Sequence, residues 1–79
     1  MNKTPSRRAR EIARKHVLDC LGDRYDISHQ VLNVDGTYLF QLNRTVLKDT
    51  EMCEEWNIGT VAVSPDGYVR HVFKEGYHD

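Results

Sequence analysis

Residues 25–42 read YDISHQVLNVDGTYLFQL, and the way they alternate decides the fold. Asp35-Gly36 divides two β-rich runs, Tyr25–Val34 and Thr37–Leu42. A two-residue Asp-Gly loop fits a type I′ turn. That turn sets Val34 opposite Thr37, Val31 opposite Phe40 and His29 opposite Leu42. One face then carries Ile27, His29, Val31, Tyr38, Phe40 and Leu42. The other carries Leu32, Val34 and Leu39 between the polar pair Gln30 and Gln41. The first face is the better candidate for packing on a helix.

A helix lies upstream. Thr4 is placed to be its N-cap, with Pro5 at the first helical position, where a missing N–H costs nothing. Ala9, Ile12, Ala13, His16, Val17 and Cys20 recur at helical spacing and form one apolar stripe. Arg7, Arg14, Leu18 and Leu21 fall toward the other side. Gly22 supplies the stop and Asp23 begins the exit. Downstream, Ser64-Pro65-Asp66-Gly67 marks a second hairpin between Trp56–Val63 and Tyr68–Phe73. With Pro65-Asp66-Gly67 as its loop, Val61, Val63, Val69, His71 and Phe73 share a face. Between the hairpins, Arg44–Glu55 admits three readings: an extension of the second strand through Val46 and Leu47, a loop, or a short helix from Thr50.

These elements predict a single α+β domain over residues 1–79, an N-terminal helix packed on a four-stranded antiparallel meander, α-β-β-β-β. Residues 1–4 are expected to be a flexible N-terminus. The organisation resembles the small cystatin-like and PepSY-like α+β folds. The likeness runs from Ala13 to Gly22, through Val31, Tyr38 and Phe40, and on to Val61, Val63, Asp66-Gly67 and Val69. Members of such folds are often inhibitors, immunity proteins or accessory modules, and the resemblance implies a non-catalytic role of that kind. It carries over no functional residue.

The chain has 79 residues, enough for one thin core and too few to surrender much of it to a deep pocket. No apolar run approaches the length of a membrane-spanning helix, and the basic N-terminus lacks the apolar stretch of a signal peptide. The cysteines, Cys20 and Cys53, have no C-x-x-C spacing and are expected as free thiols in a reducing, cytoplasmic setting. A net charge of −1 hides an asymmetry. Residues 1–24 hold seven Lys/Arg against three Asp/Glu, and residues 25–79 hold four against nine. Such a dipolar chain steers a charged partner, or satisfies itself by setting the basic helix against the acidic stretch.

Four constellations carry potential chemistry. His16 and Cys20, four apart on one helix face, suit two ligands of a metal, with His29, Cys53 or His71 to complete a site. The plainer reading puts both in the core, Cys20 as a small hydrophobe and His16 hydrogen-bonded. The same thiols are candidate nucleophiles, although Glu51, Glu54 and Glu55 would suppress a Cys53 thiolate and Cys20 is expected to point at the core. His71, Glu75, His78 and Asp79 gather near the C-terminus, where fraying opposes catalytic geometry. Lys3, Arg7, Arg8, Arg10, Arg14 and Lys15 make a basic start. Arginines in the first helical turns oppose the helix dipole, so Arg7, Arg8, Arg10 and Arg14 are a candidate nucleic-acid contact.

The outer face of the first hairpin is an expected apolar patch, Leu32, Val34 and Leu39 with Tyr68 and Val72 beside it, unless residues 44–55 fold back over it. The leading expectation is a non-enzymatic protein-binding module of the inhibitor or immunity type, without cofactor and acting as a monomer or homodimer. Leu32, Val34 and Leu39 would form its contact face, and the acidic Asp49, Glu51, Glu54 and Glu55 its rim toward a basic partner. A nucleic-acid binder is the alternative, and a metal or thiol enzyme around His16 and Cys20 is the third reading.

Overall fold

The computed structural model describes residues 5–78. Its elements are α1 (Ser6–Cys20), β1 (Tyr25–Val34), β2 (Thr37–Lys48), β3 (Glu51–Val63) and β4 (Val69–Phe73). The strands form one antiparallel sheet in the order β1-β2-β3-β4. The α-β-β-β-β meander is therefore the architecture of the chain. No helix among the described residues is long and apolar enough to cross a membrane.

The helix stripe does the packing its spacing predicts. Ala9, Ala13 and Val17 are buried against Ile27, Phe40, Leu42, Ile58, Val61 and Val63. Two alanines at the closest approach let a single helix lie low on the sheet, with Phe40 filling the space beneath. Leu21, expected on the far side, packs against this core with Ile12. The helix exit bends there, since Gly22 takes φ +102° and its N–H bonds to Val17 O. At the other end Pro5 stands before the helix in extended conformation, its carbonyl accepting from Ala9 N at 2.9 Å. Pro5 is thus the flanking residue rather than the first helical one. The Thr4 cap and the flexible residues 1–4 lie outside the described residues.

Asp35 and Gly36 both have positive φ, as a type I′ turn requires, and Val34↔Thr37 and Val31↔Phe40 pair as expected. The register then shifts, so that Ile27, not His29, faces Leu42. Ser28, His29 and Gln30 are spread opposite Gln41 alone. A shift of two keeps Ile27 on the buried face but releases His29, expected inside, to solvent. A second shift lies in β3 between Gly59↔Leu42 and Glu55↔Arg44. Asn57 takes φ +59° there, and Asn43 Oδ1 accepts both Asn57 N–H and Gln41 Nε2 at 2.8 Å. The Asn43 side chain so replaces a lost ladder bond.

Residues 44–55 resolve as strand on both sides of a tight Asp49-Thr50 turn, with no helix and no loop. They leave the body as a two-stranded arm beyond the end of β1, and do not fold back over the sheet. The molecule measures 51 × 21 × 19 Å. Its radius of gyration is 13.1 Å, against about 11.6 Å for a compact chain of this length. On the side away from β2, β4 pairs with β3 only over Gly59–Val63, so the Glu51–Trp56 edge is unpaired among the described residues. The final strand begins at Val69, with Tyr68 left in the loop. Val63, Val61 and Gly59 face Val69, His71 and Phe73 as the shared-face reading requires.

Candidate functional site

The helix covers one face of the sheet and leaves the other open. The ladders place Leu32, Leu39, Ala62 and Arg70 in one row across the open face, and Gln41, Thr60 and Val72 in the next. Val34 and Thr37 border them, beside Tyr68. Along the arm the same face carries Thr45 opposite Glu54 and Leu47 opposite Met52, with Trp56 next after Glu54. Leu32, Val34, Leu47, Met52, Trp56, Tyr68 and Val72 are all exposed large apolar residues on or bordering this face, leaving only Leu18 and Tyr77 elsewhere among the described residues. Leu39, expected to be exposed, is half-buried between its neighbours on β1 and β3.

The sequence reading missed the arm's share of this surface. A strand signal was present in Val46 and Leu47, but the polar residues around them masked the alternation. Trp56 is 62% exposed, and its side chain follows from parity alone once Glu55 is paired with Arg44. Beside Trp56 lies an open cleft of about 460 Å³, lined among others by Arg24, Asp26, Asn43, Thr45 and Glu54.

The acidic rim separates into two parts. Asp49 sits in the tip turn, and Glu51 and Glu54 stand exposed on β3. Glu55 is no rim residue. Its Oε1 meets Arg44 Nε at 2.5 Å, with side chains only 22% and 19% exposed. Arg44 also donates to His78 O at 3.0 Å and stacks on Tyr77. This clasp ties the C-terminal residues to the base of the arm, where fraying was expected. Of the expected acid–base cluster at the tail, Asp79 lies outside the described residues.

The basic helix does not present a uniform cationic face. Arg10 donates through Nη1 to Ser28 O at 2.8 Å and through Nη2 to His29 O, with its guanidinium over Phe40. It holds the β1 bulge and is no free phosphate ligand. Arg8 pairs with Glu11 at 3.4 Å, Lys15 with Asp19 at 2.9 Å and Arg14 with Asp26 at 3.8 Å, all exposed. Such pairs contribute little stability, about 0–1 kcal/mol each. None joins the helix to the acidic arm, so the self-satisfying arrangement of the two charge poles does not form. Of the four arginines, Arg7 alone has neither an ion pair nor a side-chain hydrogen bond among the described residues.

His16, Cys20 and His71 do come together. His16 Nε2 lies 2.8 Å from His71 Nδ1, bridging α1 and β4, and Cys20 Sγ lies 3.7 Å from His16 Nδ1. Cys20 is exposed, contrary to the expected core position, because it is the last helical residue and turns away as Leu21 turns in. Burial first, and His71 second, hold the His16 imidazole below its ordinary range, while Asp19 pulls it back up. The three groups do not converge on a metal, since His16 offers opposite ring nitrogens to its two neighbours. No cluster of metal-ligating groups forms among the described residues, with His29 in the bulge and Cys53 on the arm. A thiol–imidazole pair oriented by a third group has the outline of a nucleophile site. The nearby Leu21 and Gly22 N–H groups are both spent on Val17 O, so neither is free to bind an oxyanion.

No protein-family model, curated protein or solved structure matches this chain.

Proposed function

We propose that this chain is a non-enzymatic protein-binding module, of the inhibitor or immunity-protein type, that contacts its partner through the open sheet face. The observation that carries this reading is the segregation of exposed apolar side chains. They line one face from Val34 at one end to Leu47 and Met52 on the arm. Exposed leucines scattered singly need no explanation, whereas their concentration on one face marks an interaction surface. The resemblance to the small cystatin-like and PepSY-like α+β folds supports the same role. Asp49, Glu51 and Glu54 supply the charged rim.

The test is a pull-down from lysate of the source cells with the wild-type chain and with Leu32→Asp, each with and without nuclease. Leu32 is 67% exposed, so the substitution leaves the core intact, which circular dichroism checks. A stoichiometric protein retained by the wild type and lost with Leu32→Asp supports the module. Retention by both variants refutes the face assignment. Recovery that disappears with nuclease would transfer the function to Arg7, Arg8 and Arg14.

A further inference from the structure

The cleft beside Trp56 has a chemistry of its own. It opens where the arm leaves the body, and its elements converge for independent reasons. The β1 bulge widens the sheet edge at Ser28–Gln30, β1 ends below it, and the β3 irregularity aims Trp56 outward. The ladder sets Asp26 opposite Asn43 and Thr45 opposite Glu54 on this same face. Trp56 therefore shares the cleft with two carboxylates, Asp26 and Glu54.

The two carboxylates differ in commitment, since Asp26 Oδ1 accepts the Ile27 N–H at 2.8 Å. Glu54 has no ion-pair partner among the described residues. Asp26 meets Arg14 only at 3.8 Å, with both side chains exposed. The cations are placed differently. Arg44 lines the cleft, but its guanidinium is held by Glu55, His78 and Tyr77. Arg24 at the mouth is the one lining cation without such a commitment. An indole face is the strongest aromatic site for a cation, and flanking carboxylates add direct attraction. Glu51 and Asp49 extend the negative potential along the arm.

We propose that this cleft receives an arginine or lysine side chain of the protein partner, laid over Trp56 between Asp26 and Glu54. The inference rests on the protein-binding reading and names the chemistry of the partner: a basic segment. Trp and Arg are the side chains most enriched at the energetic centres of interfaces, which suits this pairing.

Trp56 is the only tryptophan of the chain, so its emission reports on the cleft directly. The probe is the blocked peptide Gly-Arg-Gly-Arg-Gly, titrated against the wild type at low salt, beside its citrulline counterpart and a Gly-Glu-Gly-Glu-Gly control. The arginine peptide is expected to shift the emission saturably. Citrulline should bind at least about fivefold more weakly, and Glu54→Gln and Asp26→Asn should each weaken the arginine peptide about two- to fivefold. Arg24→Ala should tighten it. Equal binding of arginine and citrulline, no spectral response, or preference for the acidic peptide would each overturn the proposal. The two readings fail separately. A natural partner lost with Leu32→Asp but indifferent to Glu54→Lys and Trp56→Ala keeps the module and removes the cation cleft.

Discussion

Replacing Arg10 by alanine should destabilise the fold far more than replacing any other basic residue of the helix. Two carbonyls of the β1 bulge, Ser28 O and His29 O, are held by its forked guanidinium, which also lies 5.2 Å from the Phe40 ring centroid. Hydrogen bonds to charged groups contribute about 1.5–3 kcal/mol each when buried. The site is half-exposed, so both together are set near the value for one. An exposed cation–π contact adds ~0.5–1 kcal/mol. The expected loss is about 2–3 kcal/mol. With a urea m-value near ~1 kcal/mol/M for so small a chain, the midpoint falls by about 2–3 M. The melting temperature falls by roughly 10–20 °C. Arg10→Lys keeps the charge over Phe40 but offers no planar fork, and should recover less than half of the loss. Arg7→Ala, at an exposed position, should stay within ~0.5 kcal/mol of wild type. Equal midpoints for Arg10→Ala and Arg7→Ala would refute the assignment of Arg10 as the clamp of the bulge.

Three further outcomes follow from geometry. A Cβ added at Gly59 would sit 2.3 Å from Val72 O and 3.1 Å from Phe73 Cα. Gly59→Ala should therefore cost about 1–3 kcal/mol and speed hydrogen exchange across Val69–Phe73 relative to β2. Thr50 is β-branched at φ +68°, so Thr50→Gly should stabilise the chain by about 1 kcal/mol in urea titration, and a loss of stability would deny the strain. His16 lies below its ordinary 6.5, so the unfolded chain binds the proton first. Its contribution to stability is full above pH 6.5 and is lost as pH falls from there through the lower folded value. Arg8, Glu11, Lys15 and Asp19 on α1 and His71 on β4 surround it. His16→Phe should flatten stability between pH 7 and 5, and an unchanged slope would exclude His16 as the source.

The meander was legible because its signals are local. Asp35-Gly36 and Ser64-Pro65-Asp66-Gly67 specify turns by φ alone, and the stripe from Ala9 to Val17 specifies a buried helix face. The two bulges were not legible. Each depends on a side chain distant in sequence, Arg10 for one and Asn43 for the other, satisfying backbone groups that a regular ladder would pair. Misplacing His29 follows directly from missing the first. The arm was hidden because its Asp49-Thr50 turn uses a residue that turns disfavour. Arg10 and Glu55 looked available in the sequence because charge is visible there and commitment is not. Cys20 was misplaced by extending helical periodicity through the last turn, where the chain already bends toward Gly22.

The Glu51–Trp56 edge, unpaired among the described residues, exposes N–H and C=O groups that another β-strand could pair with. Glu51 and Glu54 punctuate that strand with exposed carboxylates. Two copies approaching edge to edge in antiparallel fashion would bring these like charges together, so the same residues that face a basic partner also repel self-assembly. The arm is thereby long and sticky in backbone terms yet kept apart by charge. Salt, which screens those carboxylates, would lower the barrier, and β-rich aggregation of this chain should accelerate at high salt, starting from the arm.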